Sequence, residues 1–379
     1  MNSVSGPATG RPEPKVGESD NQGWTLARVR RAILWRLQHW PLRARDAVLL
    51  PLAAGSQRLS SIYYAIANGA FGREHRGVLV GRSQFRRLSQ VSANHHYQLR
   101  RNVHRVEKGL IMRPRRPSFG ASYIEEAVGM YATVLERQAA DPGSVDSLEL
   151  KWAHDVLAEY FAVVERTGRV RRAGLIWDRL RSIESSGDCV PYPRDLTGPP
   201  PVAYEDLQRL AIRRRSVRWY LTRPVPRELI DKALDVAAQS PSACNRQPFE
   251  FRIFDEPALL REVLAVPQGT GGFGQQIPAA AVIVGRLRAF ATERDRHLIY
   301  IDGGLAAMSF VLALESLGLS SVCINWADLA PQEKEMGRLL HLAPDERVVM
   351  LIGFGYPDPD GLVPYSQKKP LELFRRYNA

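Results

Sequence analysis

The stretch AAAVIVG at residues 279–285 consists only of small and apolar residues. A run of this length without a polar position is typical of a β-strand that is covered on both faces. The stretch RVVMLIG at 347–353 repeats the pattern after its first residue. Two shorter strands are predicted at Phe249–Phe254 and Ser321–Asn325, so we expect four strands to form the centre of the C-terminal half.

Helical patterns separate these strands. We predict helices at 205–215, 226–237, 302–318 and 331–341. Asp302 is a suitable N-cap for the third of them, and Gly318 suits the position just after its end. Strands and helices that alternate in this way predict an α+β unit over residues 204–379.

The chain before this unit has a different pattern. Residues 24–188 are rich in arginine, and apolar positions recur at helical spacing in them, most clearly at Trp24–Leu37, Tyr123–Leu135 and Leu148–Val164. We therefore predict an all-α basic domain there. Residues 189–203 begin with CVPYPRDLTGPPP and are predicted to be a linker, and the polar residues 1–23 a disordered tail.

The net charge of +12 is concentrated in one region. Between residues 24 and 116 there are 19 Lys and Arg against 3 Asp and Glu, which is a surplus of 19 − 3 = +16. A surplus of this size indicates an acidic partner such as an acidic polymer or a membrane surface. An arginine-rich surface in contact with water is the alternative, and both interpretations stay open.

Several classes of protein are excluded by composition. The 3 cysteines have no paired spacing, so we expect neither a disulfide framework nor a metal site. No apolar run approaches the roughly 20 residues of a transmembrane helix. The N-terminal residues lack the apolar core of a signal peptide. We therefore expect a soluble, cytoplasmic protein without a transmembrane segment.

Two segments carry residues suited to ligand binding. In RRRSVR at 213–218, a helix ends where Arg214, Ser216 and Arg218 can present donors to one phosphate. In SPSACNRQPF at 240–249, a proline stops a helix, and we expect free backbone N–H groups and the Asn245 amide to face a heteroaromatic ligand. The alternatives are a solvated basic helix end and an ordinary helix-to-strand turn.

Three further segments complete the pattern, namely GLSSVCINW at 318–326, GYP at 355–357 and VPYSQKKP at 363–370. The stretch GTGGFG at Gly269–Gly274 spells a dinucleotide-binding motif. Its context argues against that function, because a helical pattern precedes it and a strand follows, whereas the motif requires the opposite order.

In this order and spacing, residues 204–379 resemble the nitroreductase family of FMN-dependent flavoproteins. The resemblance implies a nitroreductase-like sandwich with a central, mostly antiparallel sheet. It also implies a homodimer formed through long helices, with FMN at the interface and strands exchanged between subunits.

The resemblance also implies roles for particular residues. Arg214, Ser216 and Arg218 would hold the FMN phosphate, assisted by Lys368 or Lys369. On the isoalloxazine side, the ring edge would be lined by Pro241, Ser242 and Ala243, and Asn245 would bond the ring. Cys323, Ile324 and Asn325 would pass near the flavin from the other side. No catalytic side chain is expected, because the flavin accepts the hydride.

The implied function is an FMN-dependent oxidoreductase that uses NAD(P)H and passes electrons to a small organic acceptor in a ping-pong cycle. Two alternatives stay open. One is a flavin enzyme with other chemistry, such as flavin breakdown or dehydrogenation of a glycan or peptide. The other is a non-catalytic protein on the same fold whose basic N-terminal domain binds an acidic polymer.

Two features modify this expectation. Trp326 stands where many relatives have glycine and, with the Gly269–Gly274 loop, would narrow the substrate side. The segment LRRNVHRVEKGL at 99–110 predicts an amphipathic helix with a dense cationic face. It would either bind an acidic substrate or partner beside the flavin or support the dimer structurally.

Overall fold

A computed structural model of the chain describes residues 48–91, 97–143, 145–180 and 186–378. They fall into two compact units, of which the first ends at Gly72 and the second comprises residues 73–379. The predicted tail at 1–23 and the predicted helix at Trp24–Leu37 lie outside the described residues. In the first unit, the Ser56 hydroxyl accepts a hydrogen bond from the Leu59 N–H and caps helix α1 (Gln57–Ile62).

The region from Gly72 to Leu180 is all-helical, as predicted, and its described residues form helices joined by loops. The helices are α2 (Gly72–Val91), α3 (Tyr97–Leu110), α4 (Ile124–Ala140), α5 (Ser147–Val163) and α6 (Gly168–Leu180). Apolar residues of α3 to α6, among them Leu99, Tyr131 and Tyr160, form one buried cluster. This cluster gives the helical region a core of its own.

The C-terminal region combines helices with one sheet. Its elements are α7 (Tyr204–Arg213), α8 (Arg227–Ala238), β1 (Phe249–Phe254), α9 (Pro257–Ala265), β2 (Ala279–Arg286), α10 (Leu298–Ser316), β3 (Ser320–Ile324), α11 (Ala330–Leu339) and β4 (Glu346–Gly355). The four predicted strands are confirmed to within two residues at each end. The predicted α+β class is also confirmed.

The four strands form an antiparallel sheet in the order β1-β2-β4-β3. The central strand β2 is buried from Ala279 to Gly285, which explains why its sequence has no polar position. A β-carbon on Gly285 would lie only 2.7 Å from the Ile299 Cβ, so glycine at this position lets α10 pack closely on the sheet.

Helix α10 corrects one prediction. Asp302 is not its N-cap, because the helix begins four residues earlier and His297 occupies the cap position. Asp302 lies inside the helix with 3% of its surface exposed. Gly318 follows the helix with φ of 78°, the left-handed conformation predicted for it. The apolar pattern could not locate the start of α10, because residues 298–301 are also apolar or aromatic and the pattern continues on both sides of Asp302.

Among the described residues, one segment, Glu293–Ser316, is apolar and long enough to cross a membrane by composition alone. Half of its most apolar part is buried inside the fold. A core helix of a globular protein meets the same criterion, so this segment is weak evidence for a membrane span.

Candidate active site

The first group of predicted site residues lies where α7 ends beside the edge strand β3. We call residues 213–218 the cationic corner. Ser216 forms a parallel bridge with Ser321, and the Val217 N–H donates to the Ser321 carbonyl at 3.0 Å. The structure therefore joins the RRRSVR segment to the segment that carries Cys323, Ile324 and Asn325.

The arginines of the cationic corner differ in their partners. Arg213 donates from Nε to Glu315 Oε1 at 2.9 Å, and Arg215 donates to the Tyr365 carbonyl at 3.4 Å. The guanidinium of Arg214 between them has no hydrogen bond or ion pair in the described part of the chain, and its Nε is buried. Arg218 donates to the Ser216 carbonyl at 3.2 Å and has no acidic partner among these residues. Two guanidinium groups are thus available to an anion.

The end of β3 forms the neighbouring wall. Cys323 is exposed at this end of the strand. Partial desolvation raises the pKa of its thiol, and the charge of the Arg214 guanidinium opposes this. Asn325 is exposed. The Trp326 indole N–H donates to Glu333 Oε1 at 2.5 Å, so α11 fixes its orientation.

The glycine-rich loop also lies on this side. A β-carbon on Gly269 would be 3.9 Å from Ile324 Cγ2, and the Arg218 guanidinium carbon is 5.4 Å from the centre of the Phe273 ring. The loop lines a pocket of about 520 Å³. Helix α9 precedes the loop and β2 follows it, so the rejection of a dinucleotide-binding motif is correct.

The second group of predicted site residues forms the loop at residues 241–248, before β1. Cys244, Asn245 and Gln247 have φ of 54°, 52° and 49°. Left-handed backbone is uncommon for residues other than glycine, and three cases in one short loop store conformational strain. We call this segment the left-handed loop. Such strain persists only where surrounding contacts enforce it, and it concentrates at functional sites.

The prediction of free backbone N–H groups in this loop is wrong at four positions. The Ala243 N–H donates to Asp302 Oδ2 at 3.0 Å, and the Gln247 N–H donates to the Ser242 hydroxyl at 3.0 Å. The N–H groups of Asn245 and Arg246 donate to carbonyls within the loop. These bonds enforce the strained backbone, and they leave the N–H groups of Ser242 and Cys244 and side chains such as the Asn245 amide as the loop's donors toward a ligand.

Helix α3 of the N-terminal region holds the loop from outside. Arg100 Nε donates to the Asn245 carbonyl at 2.9 Å, and Arg100 Nη1 lies 3.3 Å from Glu149 Oε2 of α5. Burial raises the pKa of Glu149, and the Arg100 charge opposes this. Sequence reasoning missed Arg100, Glu149 and Asp302 as supports of the site. The cationic face predicted at 99–110 was the only signal that pointed to this helix.

The cationic corner and the left-handed loop lie at opposite edges of the sheet. The corner adjoins β3, and the loop leads into Phe249, the first residue of β1. Strands β2 and β4 lie between them. Three spacings between neighbouring strands amount to about 14 Å. The two groups therefore do not line one pocket within a single chain.

The lysines of the C-terminal segment are not brought into either group. Lys368 and Lys369 are exposed, and no hydrogen bond or ion pair of their ammonium groups occurs in the described residues. The nearest link between this segment and the cationic corner is the bond from Arg215 to the Tyr365 carbonyl.

Comparison with known proteins gives consistent matches. A model described as "Nitroreductase family" matches residues 211–356, which include Arg214 to Arg218 and the left-handed loop. Over 157 residues, the chain is 32% identical to a protein of Archaeoglobus fulgidus whose name includes "NADH dehydrogenase/NAD(P)H nitroreductase", and the match covers 40% of this chain and 86% of that relative.

Two further matches are weaker. The chain is 25% identical over 200 residues to the iodotyrosine dehalogenase 1 homolog of Caenorhabditis elegans, and the match covers 45% of this chain and 59% of that relative. A solved FMN-dependent nitroreductase of Clostridium difficile R20291 aligns with a TM-score of 0.39 and 24% identity, covering 45% of this chain and 98% of that structure.

Proposed function

This chain belongs to the nitroreductase family of oxidoreductases, and from that premise we propose that it binds FMN between two copies of itself. NAD(P)H would reduce the flavin, which would then reduce a small organic acceptor. Support comes from the names of its relatives and from residues of this chain that suit the two ends of the cofactor.

The observation that carries the proposal is the state of Arg214. Its Nε is buried without a partner, while both neighbouring arginines are engaged. A buried unpaired donor costs free energy, and a phosphate would satisfy it by charge-assisted hydrogen bonds. Arg214, Arg218 and the Ser216 hydroxyl therefore fit the FMN phosphate, and Lys368 or Lys369 would join them if the C-terminal segment moved toward the corner.

The left-handed loop fits the ring of the flavin. Its backbone is held by Asp302 and Arg100, so Pro241, Ser242, Ala243 and the Asn245 amide would be presented in a fixed arrangement. On the other side, Cys323, Ile324 and Asn325 would approach the ring from the copy that supplies the corner, with Trp326 limiting the space for an acceptor. When bound, FMN would supply the redox chemistry by accepting a hydride, and the residues of this chain would hold and orient the cofactor.

The sheet supports a division of the site between two copies, because one chain presents the corner and the loop at opposite edges. Helix α10 offers a surface for association. Its residues Ile301, Leu305 and Met308 lie on one face and are 54%, 45% and 47% exposed. An exposed apolar stripe of this kind suits a symmetric contact with a second copy.

The test is the colour and reactivity of the purified protein. We expect FMN, identified by chromatography against FMN and FAD standards after heat release. Anaerobic NADH or NADPH should bleach the visible flavin absorption, and a nitroaromatic compound should restore it. Protein loaded with FMN that neither nicotinamide bleaches would contradict the proposal, as would protein that neither retains nor takes up FMN.

A further inference from the structure

Helix α3 carries two arginines on one face that form no ion pair with an acidic side chain among the described residues. Arg101 and Arg105 are one turn apart, so their side chains lie on the same side of the helix. The Arg101 guanidinium has no hydrogen bond or ion pair to any described residue. Arg105 lies with its guanidinium carbon 3.7 Å from the centre of the Tyr123 ring and makes a long hydrogen bond to the Asn102 amide. The ring orients Arg105 without neutralising it.

One carboxylate acts on this face. Glu126 raises the pKa of Arg105, but it forms no ion pair with Arg101 or Arg105 among the described residues. Its oxygens accept hydrogen bonds from Gln98 at 3.0 Å and from Asn102 at 3.1 Å. Two arginines beside one carboxylate leave the face with a net positive charge.

A third arginine extends this positive face into the left-handed loop. Arg246 is 5% exposed, and its Nε is buried without a hydrogen-bond partner. Its guanidinium carbon lies 5.1 Å from the centre of the Phe290 ring, and Nη1 donates to the Ala243 carbonyl at 3.2 Å. Like Arg214 at the other edge of the sheet, it holds an unsatisfied donor that an anion would complete.

Charged neighbours act on two of the three arginines. Desolvation lowers the pKa of Arg246, and the Arg101 charge lowers it further, while Asp295 and Asp302 oppose this. Desolvation and the Arg101 charge also lower the pKa of Arg105, while Tyr123 and Glu126 oppose this. The contact between Arg100 and the Asn245 carbonyl fixes this helix against the loop. The helix that carries Arg101 and Arg105 thus packs against the loop that contains Arg246 and the residue expected to bond the flavin ring.

We propose that Arg101, Arg105 and Arg246 bind an oxyanion, a carboxylate or a phosphate, on the acceptor that reaches the flavin, so that the acceptor of this enzyme is an organic acid. This inference rests on the proposed function, because it takes the left-handed loop as the ring side of the FMN site. It also gives the N-terminal helical region a part in selecting the substrate. The 2′-phosphate of NADPH carries the same chemistry, and the experiment separates the two sources.

The experiment compares two nitroaromatic probes of similar shape, 4-nitrobenzoate and the uncharged 4-nitrobenzyl alcohol. Their affinities for the flavin-loaded protein are measured by calorimetry, and their kcat/KM values with NADH as reductant. We expect wild type to prefer the anion, and Arg101→Ala/Arg105→Ala to lose about tenfold or more in affinity for the anion with little change for the alcohol. Lys108→Ala, an exposed site on the same helix, is the matched control and should keep the preference.

A variant that preserves the charge, and the results that would overturn the proposal, complete the experiment. Arg101→Lys/Arg105→Lys keeps the charge and should keep most of the preference. Equal losses for both probes, or no loss for the anion, overturn the proposal. The alanine double variant could instead lose a preference for NADPH over NADH and keep the preference for nitrobenzoate. That result would assign the arginines to the 2′-phosphate of NADPH and overturn the acceptor assignment. If NAD(P)H bleaches no flavin, the proposed function fails, while calorimetry still shows whether the arginines bind the anion.

Discussion

The cationic corner and the left-handed loop serve the same proposed site by different physical means. The corner consists of residues within a few positions of one another at a helix end, with two guanidinium groups that lack acidic partners. The loop is held by Asp302 and Arg100, which lie 59 and 145 residues from their partners in the chain. The corner would bind by charge, whereas the loop would bind by a shape that distant residues maintain.

The largest effect is expected from removing the charge of the corner. Arg214→Ala/Arg218→Ala deletes the two unpaired guanidinium groups. Each charge-assisted hydrogen bond contributes about 1.5–3 kcal/mol, so the Kd for FMN should rise on the order of 100-fold or more. Equilibrium dialysis of the apoprotein with FMN measures this. Arg209→Ala removes an exposed arginine of α7 that pairs with Asp206, and it should leave the affinity unchanged.

The same variant tests whether corner and loop come from different copies. Asp302→Ala frees the Ala243 N–H and should damage the loop while leaving the corner intact. When both variants are co-expressed equally, half of the dimers are mixed. In a mixed dimer, one site combines the intact corner of one copy with the intact loop of the other, and the second site combines both damaged groups. About a quarter of all sites should therefore bind FMN with wild-type affinity. Recovery of no sites would show that one chain supplies both groups.

The sequence predicts the corner better than the loop. The positions of Arg214, Ser216 and Arg218 at a helix end follow from local pattern, and so do the four strands, because burial on both faces requires uninterrupted apolar runs such as residues 279–285. Of three consecutive arginines, Arg214 is the one whose guanidinium has no partner among the described residues, and this could not be predicted. It depends on Glu315 and Tyr365, which are distant in the chain.

The support of the loop is a tertiary property. Ser, Pro and Asn predicted a turn, but they did not predict three left-handed residues in it. Three of its four satisfied N–H groups donate within the loop, whereas that of Ala243 donates to Asp302 of α10 and Arg100 of α3 holds the Asn245 carbonyl. Asp302 was predicted as a helix cap because aspartate at the start of an apolar run usually is one. Its actual contact with Ala243 leaves no local signal in the sequence. The role of Arg100 could be found only once α3 was placed against residue 245.

A smaller effect on the flavin is expected from the arginine that holds the loop. Arg100→Ala removes one hydrogen bond to the Asn245 carbonyl, and the Kd for FMN should rise about 3- to 10-fold. It also leaves Glu149 buried without its cation, which should lower the free energy of unfolding by about 3 kcal/mol at neutral pH. The loss should diminish as the pH falls, since the raised pKa of Glu149 lets it become neutral.

A second substitution separates these two effects. Arg100→Ala/Glu149→Gln removes the unpaired charge, so urea denaturation should show most of the stability restored, while the affinity for FMN stays low. If the affinity returns together with the stability, Arg100 acts on the fold as a whole and does not position the loop.

The smallest effect is a change in how stability depends on pH. Burial raises the pKa of Asp302, while the Ala243 N–H and the Arg246 charge oppose this. The folded protein then holds this proton more tightly than the unfolded chain, so the contribution of Asp302 to the free energy of unfolding falls as pH rises from about 3.9, its ordinary value, through the raised value. Asp302→Asn keeps an acceptor for Ala243 and removes the titration. Urea denaturation measures the free energy of unfolding of both proteins. As the pH rises across that range, the stability of wild type should fall relative to that of Asp302→Asn.

Glu256 supplies a comparison of opposite sign. It caps α9, and hydrogen bonds from the Leu259 and Ala258 N–H groups lower its pKa. The contribution of Glu256 to the free energy of unfolding is present above its ordinary pKa and is lost as pH falls through the lowered value. On acidification, the stability of wild type should therefore fall relative to that of Glu256→Gln. If the two differences in the free energy of unfolding follow pH in the same direction, hydrogen bonding lowers the pKa of Asp302 as it does that of Glu256. Burial would then not set the pKa of the carboxylate beneath the loop.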